Sequence, residues 1–444
     1  MILAGSFASV IAVGTVLLSF PFAQAGAPVS LVDALFTATS AVCVTGLTVV
    51  DTGSRFSSAG QAVILALIQV GGLGLMTFAV FVGVILGRKV AFTDRMVIQD
   101  SMHHTPKAGV RRLVRYVLGF TLASEAAGAF LLWLRFRSQF PAGEAAWQSV
   151  FHSVSAFCNA GFGLLPDNLV RYRGDLLVNL AITGLIVLGG LGFLVNMELR
   201  DQAVLRLRGR RAPHLTLHAR LALVVTAALL AGGMVGFLVL EWDNVLRGLP
   251  MGERALAAWF QSVTPRTAGF NTIDYGQVSS ATLFFTIFLM FVGASPGSTG
   301  GGIKTTTFGL LVALVVARWR GRGRATLFHR TIPHAVMDRA LLLTLLAWAL
   351  VSLAVGLLVL TETGGVPHAA ADPRFVALMF EAVSAFGTVG LSTGITPSLS
   401  ALGKLVLVLV MYAGRVGPLT LVLAVGPRQE RGRFRYAEEN VMVG

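Results

Sequence analysis

Apolar runs of about 20 residues recur along this chain from end to end, and a run of that length spans a bilayer as a helix. They can be drawn at 2–20, 60–87, 113–134, 176–199, 218–240, 281–317, 337–360 and 402–426, which makes eight expected spans in 444 residues. Composition agrees, with 55% hydrophobic residues, 13% charged residues and a mean hydropathy of +0.75. A soluble domain is nearer a quarter charged. The chain is therefore read as an all-α polytopic membrane protein, and a soluble enzyme is excluded. The first run lacks a basic start, and Ala23-Gln24-Ala25 only loosely resembles a cleavage site, so a retained first span is expected rather than a removed signal peptide. Cys43 and Cys158 are the only cysteines, too few for a disulfide framework or a zinc pattern. His103 and His104 lie in an expected cytoplasmic loop and read as a solvated face rather than a metal site.

Basic residues set the orientation. They cluster after the second span (Arg88 to Arg115), the fourth (Arg200 to Arg211) and the sixth (Arg318 to Arg339), and again in the tail (Arg428 to Arg435). An excess of Lys and Arg marks cytoplasmic loops, so both termini are expected inside. The formal net charge of +14 is thereby explained without nucleic acid. The same loops would attract anionic membrane lipid, at about 1 kcal/mol per well-placed residue.

Between the spans of each pair lies a mixed stretch, about 29–47, 144–162, 252–270 and 372–391, too short or too polar to cross. Each reads as a re-entrant segment on the outer side. Aligned, they give Ala41-Val-Cys-Val-Thr-Gly46-Leu47, Ala156-Phe-Cys-Asn-Ala-Gly161-Phe162, Thr264-Pro-Arg-Thr-Ala-Gly269-Phe270 and Ala385-Phe-Gly-Thr-Val-Gly390-Leu391. An aromatic stands ten positions before each glycine: Phe36, Phe151, Trp259 and Phe380. Glycine accepts the positive φ that lets neighbouring carbonyls face one axis, and irregular backbone at membrane depth is tolerated where it lines a cavity or is buried in protein. Carbonyls so aimed replace an ion's hydration shell. The competing reading, ordinary glycine turns at helix contacts, fits one such segment better than four in register. The expected organisation is four membrane-pore-membrane repeats around one pore, at 1–87, 88–199, 200–317 and 318–444, the last with a cytoplasmic tail.

The run from Ala281 to Ala317 is too long for one straight crossing, and its middle, Gly293 to Thr307, is glycine-rich and polar, so a broken helix is expected there. A Walker loop is excluded because Ile303 stands where a glycine must precede the lysine. Lys304 and Arg415 sit inside apolar stretches, where a charge must face the pore or a partner. Lys404, near a span end, is expected to snorkel. Asp51, Asp167 and Asp274 follow the glycine turns and would either concentrate cations at an outer vestibule or cap helices. Arg266 would be costly unless paired, and Glu381 is the candidate partner.

Ser40-Ala-Val-Cys-Val-Thr-Gly-Leu-Thr-Val-Val-Asp51, Ser262-Val-Thr-Pro-Arg-Thr-Ala-Gly-Phe-Asn271, Ser295-Pro-Gly-Ser-Thr-Gly-Gly-Gly-Ile-Lys304-Thr-Thr-Thr307 and the ending Tyr436-Ala-Glu-Glu-Asn-Val-Met-Val-Gly444 together resemble the Trk/Ktr/HKT superfamily of potassium transporters. The resemblance covers nearly the whole chain and is closest to the bacterial Ktr membrane subunit, since the chain opens at the first repeat. It implies a potassium-binding filter at Val44, Thr45, Gly46, Asn159, Ala160, Gly161, Thr267, Ala268, Gly269, Thr388, Val389 and Gly390. It also implies a gate beneath the filter, formed by Gly297, Gly300, Gly301, Gly302 and Lys304 with Arg415 narrowing the pore. With all four filter glycines present, the resemblance favours potassium over sodium, because a serine at the first is associated with sodium transport in part of the plant branch. It further implies a homodimer in the bacterial plasma membrane docked on a cytosolic nucleotide-binding ring, with potassium, and sodium as a second candidate, for ions and no organic cofactor. A symporter coupled to sodium or protons is the alternative, disfavoured by the lack of a buried carboxylate pair in the spans. A membrane enzyme would need a clustered nucleophile, base or metal set, and none is apparent.

Overall fold

The computed structural model describes residues 2–74, 109–211, 213–364 and 368–417. Within them the chain is mostly helical, with a two-stranded hairpin, Thr326–Leu327 against Arg330–Thr331, as its only sheet. The helices are α1 Ile2–Ser19, α2 Leu31–Cys43, α3 Ser58–Leu73, α4 Gly109–Phe136, α5 Ala142–Phe157, α6 Leu176–Gly190, α7 Phe193–Leu207, α8 Leu217–Glu241, α9 Met251–Val263, α10 Ser280–Phe291, α11 Thr305–Trp319, α12 His334–Thr363, α13 His368–Gly387 and α14 Ala401–Val416, plus a single turn at Thr52–Arg55. Among the described residues, three helices are long and apolar enough to cross a membrane, at Val114–Phe136, Leu217–Glu241 and His334–Thr363, and four if the bent pair α6–α7 counts as one. His103, His104, the tail arginines and the Tyr436 to Gly444 ending lie outside the described residues.

Four units of long helix, shorter helix and second helix follow one another: α1–α2–α3, α4–α5–α6, α8–α9–α10 and α12–α13–α14. In each, the second helix starts on a Ser or Asp N-cap, namely Ser57, Asp175, Ser279 and Ser400. Such a side chain satisfies a backbone N–H that the helix leaves free. The same cap tethers the unit. Glu241 accepts from Ser279 N (2.9 Å) and Oγ (2.8 Å), Glu362 accepts from Ser400 Oγ (2.6 Å), Asp175 pairs with Arg135, and Ser57 donates to Phe22 O (2.6 Å).

The units close into a ring. The second helix of each packs on the short helix of the next, α3 on α5, α6 on α9 and α10 on α13, and α14 returns to α2. Lys404 of α14 and Asp33 in the first turn of α2 form an ion pair at 2.8 Å across that closing contact. Lys404 therefore holds the last unit to the first instead of snorkelling. Phe36, Phe151 and Phe380 are wholly buried on the short helices, while Trp259 is half-buried and donates to Thr183 Oγ1 on α6 (3.2 Å).

Two breaks interrupt the long runs. The expected span 176–199 does not run straight: α6 and α7 meet at 106°. Gly192 stands at the bend with φ +89°, and a Cβ there would lie 2.5 Å from Pro296 O, so the incoming 293–304 segment occupies the space a straight helix needs. The run 281–317 is broken as expected, α10 ending at Phe291 and α11 starting at Thr305.

Candidate functional site

Each short helix ends at a turn that leads into its glycine. In the first unit Thr45 N–H bonds back to Ser40 O (2.8 Å) and Gly46 N–H to Ser40 Oγ (3.0 Å); in the fourth, Val389 N–H bonds to Ser384 O (2.8 Å) and Gly390 N–H to Ser384 Oγ (3.1 Å). The second unit repeats the backbone part, Ala160 N–H to Ser155 O at 2.7 Å. A serine six positions before the glycine thus serves three copies. The third has Val263 there and uses Thr264, whose hydroxyl donates to Phe270 O (2.5 Å).

The four glycines all have positive φ: Gly46 +94°, Gly161 +69°, Gly269 +77° and Gly390 +90°. So do the residues two before them, Val44 (+58°), Asn159 (+61°), Thr267 (+71°) and Thr388 (+49°), which carry side chains. Left-handed backbone is uncommon for non-glycine residues and marks positions that the surroundings over-determine. The glycines serve a second purpose. A Cβ on Gly46 would overlap Ala160 O; on Gly161 it would lie 2.7 Å from Ala268 O; on Gly269, 2.5 Å from Val389 O; and on Gly390 it would overlap Thr45 O. Each glycine abuts the carbonyl of the residue preceding the next unit's glycine, and the fourth returns to the first. The twelve residues Val44 to Gly46, Asn159 to Gly161, Thr267 to Gly269 and Thr388 to Gly390 are therefore one closed, backbone-lined ring, with the C-terminal ends of four short helices behind it. Those ends carry the negative pole of the helix dipole.

The 293–304 segment is packed against one side of this ring. Gly301 N–H donates to Thr388 Oγ1 (3.1 Å), and a Cβ on Gly300 would overlap Thr267 Oγ1. Asn159, with its amide turned so that both atoms are satisfied, donates to Ala156 O and Ile186 O and accepts from Thr267 Oγ1, each at 3.2 Å. The segment is anchored by Gly293 N–H to Ile303 O (2.8 Å), Ser295 N–H to Gly190 O (3.0 Å) and Phe193 N–H to Gly297 O (3.0 Å). The α6–α7 bend thus serves as its dock. Gly302 takes φ +68° and turns the chain back toward Lys304, whose Nζ donates to Gly300 O (2.7 Å). Arg415 of α14 donates to Thr299 O of the segment and to Gly71 O of α3, bridging the fourth unit, the segment and the first unit.

The outer acids are engaged locally. Asp51 caps Ser54 N–H (2.9 Å), Asp167 pairs with Arg171 (2.8 Å), and Asp274 accepts from Gly276 N–H (2.9 Å) and Gln277 Nε2 (3.1 Å). Arg171, in the 3-10 turn Val170–Tyr172 between α5 and α6, donates to Asp167, and that bond raises its pKa. The expected Arg266–Glu381 pair does not form. Arg266 donates to Thr226 Oγ1 on α8 (3.2 Å), and Glu381 accepts from Ser392 Oγ (2.6 Å), Thr393 N–H (3.1 Å) and Thr396 Oγ1 (2.8 Å), holding the loop beyond Gly390. Two features escaped the sequence. Glu125 is buried within α4, accepting from Gln69 Nε2 at 3.4 Å. Gly71, Gly189 and Gly414 in the second helices sit where a Cβ would overlap Val42 O, Phe157 O and Phe386 O, each four residues before a ring glycine. A glycine at matched depth in three second spans was the available signal.

The sequence pattern of the TrkH family, described as cation transport protein, matches residues 2–432. The chain is 40% identical over 445 residues to the Ktr system potassium uptake protein B of Bacillus subtilis, covering 100% of this chain and 96% of that one. It is 41% identical over 448 residues to the potassium/sodium uptake protein NtpJ of Enterococcus hirae, again over 100% and 96%. The crystal structure of the potassium transporter TrkH from Vibrio parahaemolyticus has the same fold, with a TM-score of 0.70 at 19% identity over 96% of this chain and 85% of that one. A closed backbone ring inside a helical membrane protein, together with these likenesses, places the chain in the TrkH family of cation transport proteins, which are transporters and not enzymes.

Proposed function

We propose that the chain is the membrane subunit of a bacterial potassium-uptake system, with potassium passing in single file through the ring of Val44 to Gly46, Asn159 to Gly161, Thr267 to Gly269 and Thr388 to Gly390. The observation that carries this reading is the cyclic contact of four left-handed glycines, each against the next unit's carbonyl. Backbone oxygens replace water around a dehydrated cation, and the helix C-termini behind them favour positive charge. The relatives' names supply the ion.

In this reading the four units are membrane-pore-membrane repeats with eight spans, residues 1–87, 88–199, 200–317 and 318–444. The segment 293–307 is the gate. Its contacts with Thr267 and Thr388 close the inner side of the ring, and Arg415 holds it shut while adding a positive charge that repels cations. Lys304 braces the segment's turn. Asp51, Asp167 and Asp274 supply negative potential at the outer mouth, with Asp167 partly offset by Arg171. Both termini face the cytoplasm of the plasma membrane, where a homodimer would dock a nucleotide-binding ring that pulls the gate open. A second reading, uptake of sodium with or beside potassium, is favoured by the likeness to the potassium/sodium uptake protein of Enterococcus hirae. Liposomes loaded to impose a potassium gradient test the choice. Potassium flux without stoichiometric sodium or proton movement is expected; fixed co-transport would establish a symporter, and equal flux of both ions would refute selectivity.

A further inference from the structure

A cavity of about 440 Å³ is lined by α8, α11 and the hairpin that follows α11. Its walls are apolar: Leu221 and Val225 from α8, Phe308, Val312 and Val316 from α11. Its mouth carries Arg320 and Arg322. Neither arginine forms an ion pair among the described residues, and the same is true of their neighbours Arg318, Arg324 and Arg330. Trp319, 86% exposed beside them, has the amphipathic ring that settles at the headgroup level of a bilayer. Indole, cations without an ion pair among the described residues, and apolar slot thus follow one another along α11, in the order headgroup and acyl chain.

We propose that this slot binds one anionic phospholipid, its acyl chain between α8 and α11 and its phosphate on Arg320 and Arg322. The anionic surface of the cytoplasmic leaflet supplies such lipids, and guanidinium groups bind phosphate oxygens in a bidentate fork. The site regulates transport. Phe308 lies one turn beyond Lys304, so a chain filling the slot sets the distance of α11 from α8 and, through α11, the tension on the 293–304 segment. Gly309, where a Cβ would lie 2.8 Å from both Leu221 Cδ1 and Val225 Cγ2, is the pivot at which the two helices touch. This inference rests on the proposed gate and on the Arg-rich end facing the cytoplasm.

The test uses the full chain and phosphatidylglycerol. Native mass spectrometry would count retained phosphatidylglycerol on the wild type, on Arg320→Gln/Arg322→Gln and on Val312→Trp, which fills the slot and leaves the arginines. Potassium flux would be followed in phosphatidylcholine vesicles with increasing phosphatidylglycerol. The expected result is one phosphatidylglycerol fewer on both variants, an affinity roughly thirtyfold weaker on loss of the two arginines, and a flux that no longer responds to phosphatidylglycerol. Equal retention and an equal flux response in all three proteins would overturn the proposal. So would a change of oligomeric state in Val312→Trp at unchanged lipid count, which would assign the slot to a second copy of the chain. If no protein transports potassium in any lipid, the transport reading fails, while lipid retention still decides the site.

Discussion

At the scale of single residues, the ring is built on positions that tolerate one substituent or none. Gly390 has φ +90° and a neighbour's carbonyl where a Cβ would go, so Gly390→Ala adds a left-handed penalty of about 1–2 kcal/mol to a backbone collision. The expected outcome is a folded protein by circular dichroism whose potassium-to-sodium flux ratio falls toward one; an unchanged ratio would count against the ring as filter. Thr388 separates packing from polarity. Its hydroxyl accepts Gly301 N–H, and Thr388→Val keeps the shape but leaves that buried N–H unpaired, a loss of about 1–3 kcal/mol. Because the loss falls on the contact proposed to hold the gate closed, basal flux should rise in Thr388→Val and stay near wild type in Thr388→Ser, as tracer uptake would record. Arg415→Gln weakens a further contact of the same segment, at Thr299 O, together with the bond to Gly71 O of α3, and should raise basal flux in the same assay. The glycines themselves were legible as a register of four, whereas the left-handed state of Val44, Asn159, Thr267 and Thr388 was not. Asn tolerates positive φ better than most residues, but nothing in a Val or Thr codes for it, and neighbouring backbone imposes it here.

Between elements, the recurring device is the cap that also ties. Ser279 and Ser400 start α10 and α14 and at the same time donate their hydroxyls to Glu241 and Glu362 at the end of the preceding long helix. These caps were readable only as generic helix starts, because the partner carboxylate lies 38 residues away in both pairs. The Lys404–Asp33 pair joins residues 371 apart and explains why a span-end lysine is half-buried. Charge-assisted bonds contribute about 1.5–3 kcal/mol. Lys404→Met and Asp33→Asn should each lower the thermal midpoint in detergent, and the double variant should lose less than the sum of the two; additive losses would mean that the pair contributes nothing across the ring closure. The bend at Gly192 was missed for a similar reason. Hydropathy runs smoothly from Leu176 to Val195, and the interruption comes from Pro296 and Gly297, a hundred residues later.

For the whole molecule, the helical class and the broken run were open to a reader of the sequence because hydrophobicity and glycine spacing are local properties. An arrangement around one axis was expected, but the contacts that close it were not legible, since they join α14 to α2 and Gly390 to Thr45 from opposite ends of the chain. The same distance hid the true partners of Arg266 and Glu381, which the alignment of repeats placed together and the fold sends to Thr226 and to the loop at 392–396. What unites the scales is the claim that four chain segments surround one cation with backbone oxygen. Diffraction from crystals in which rubidium replaces potassium addresses that claim directly. Anomalous density is expected on the ring axis, ringed by the carbonyls of Val44 to Thr45, Asn159 to Ala160, Thr267 to Ala268 and Thr388 to Val389. Density confined to Asp51, Asp167 or Asp274, with an empty axis in protein that transports potassium, would contradict it.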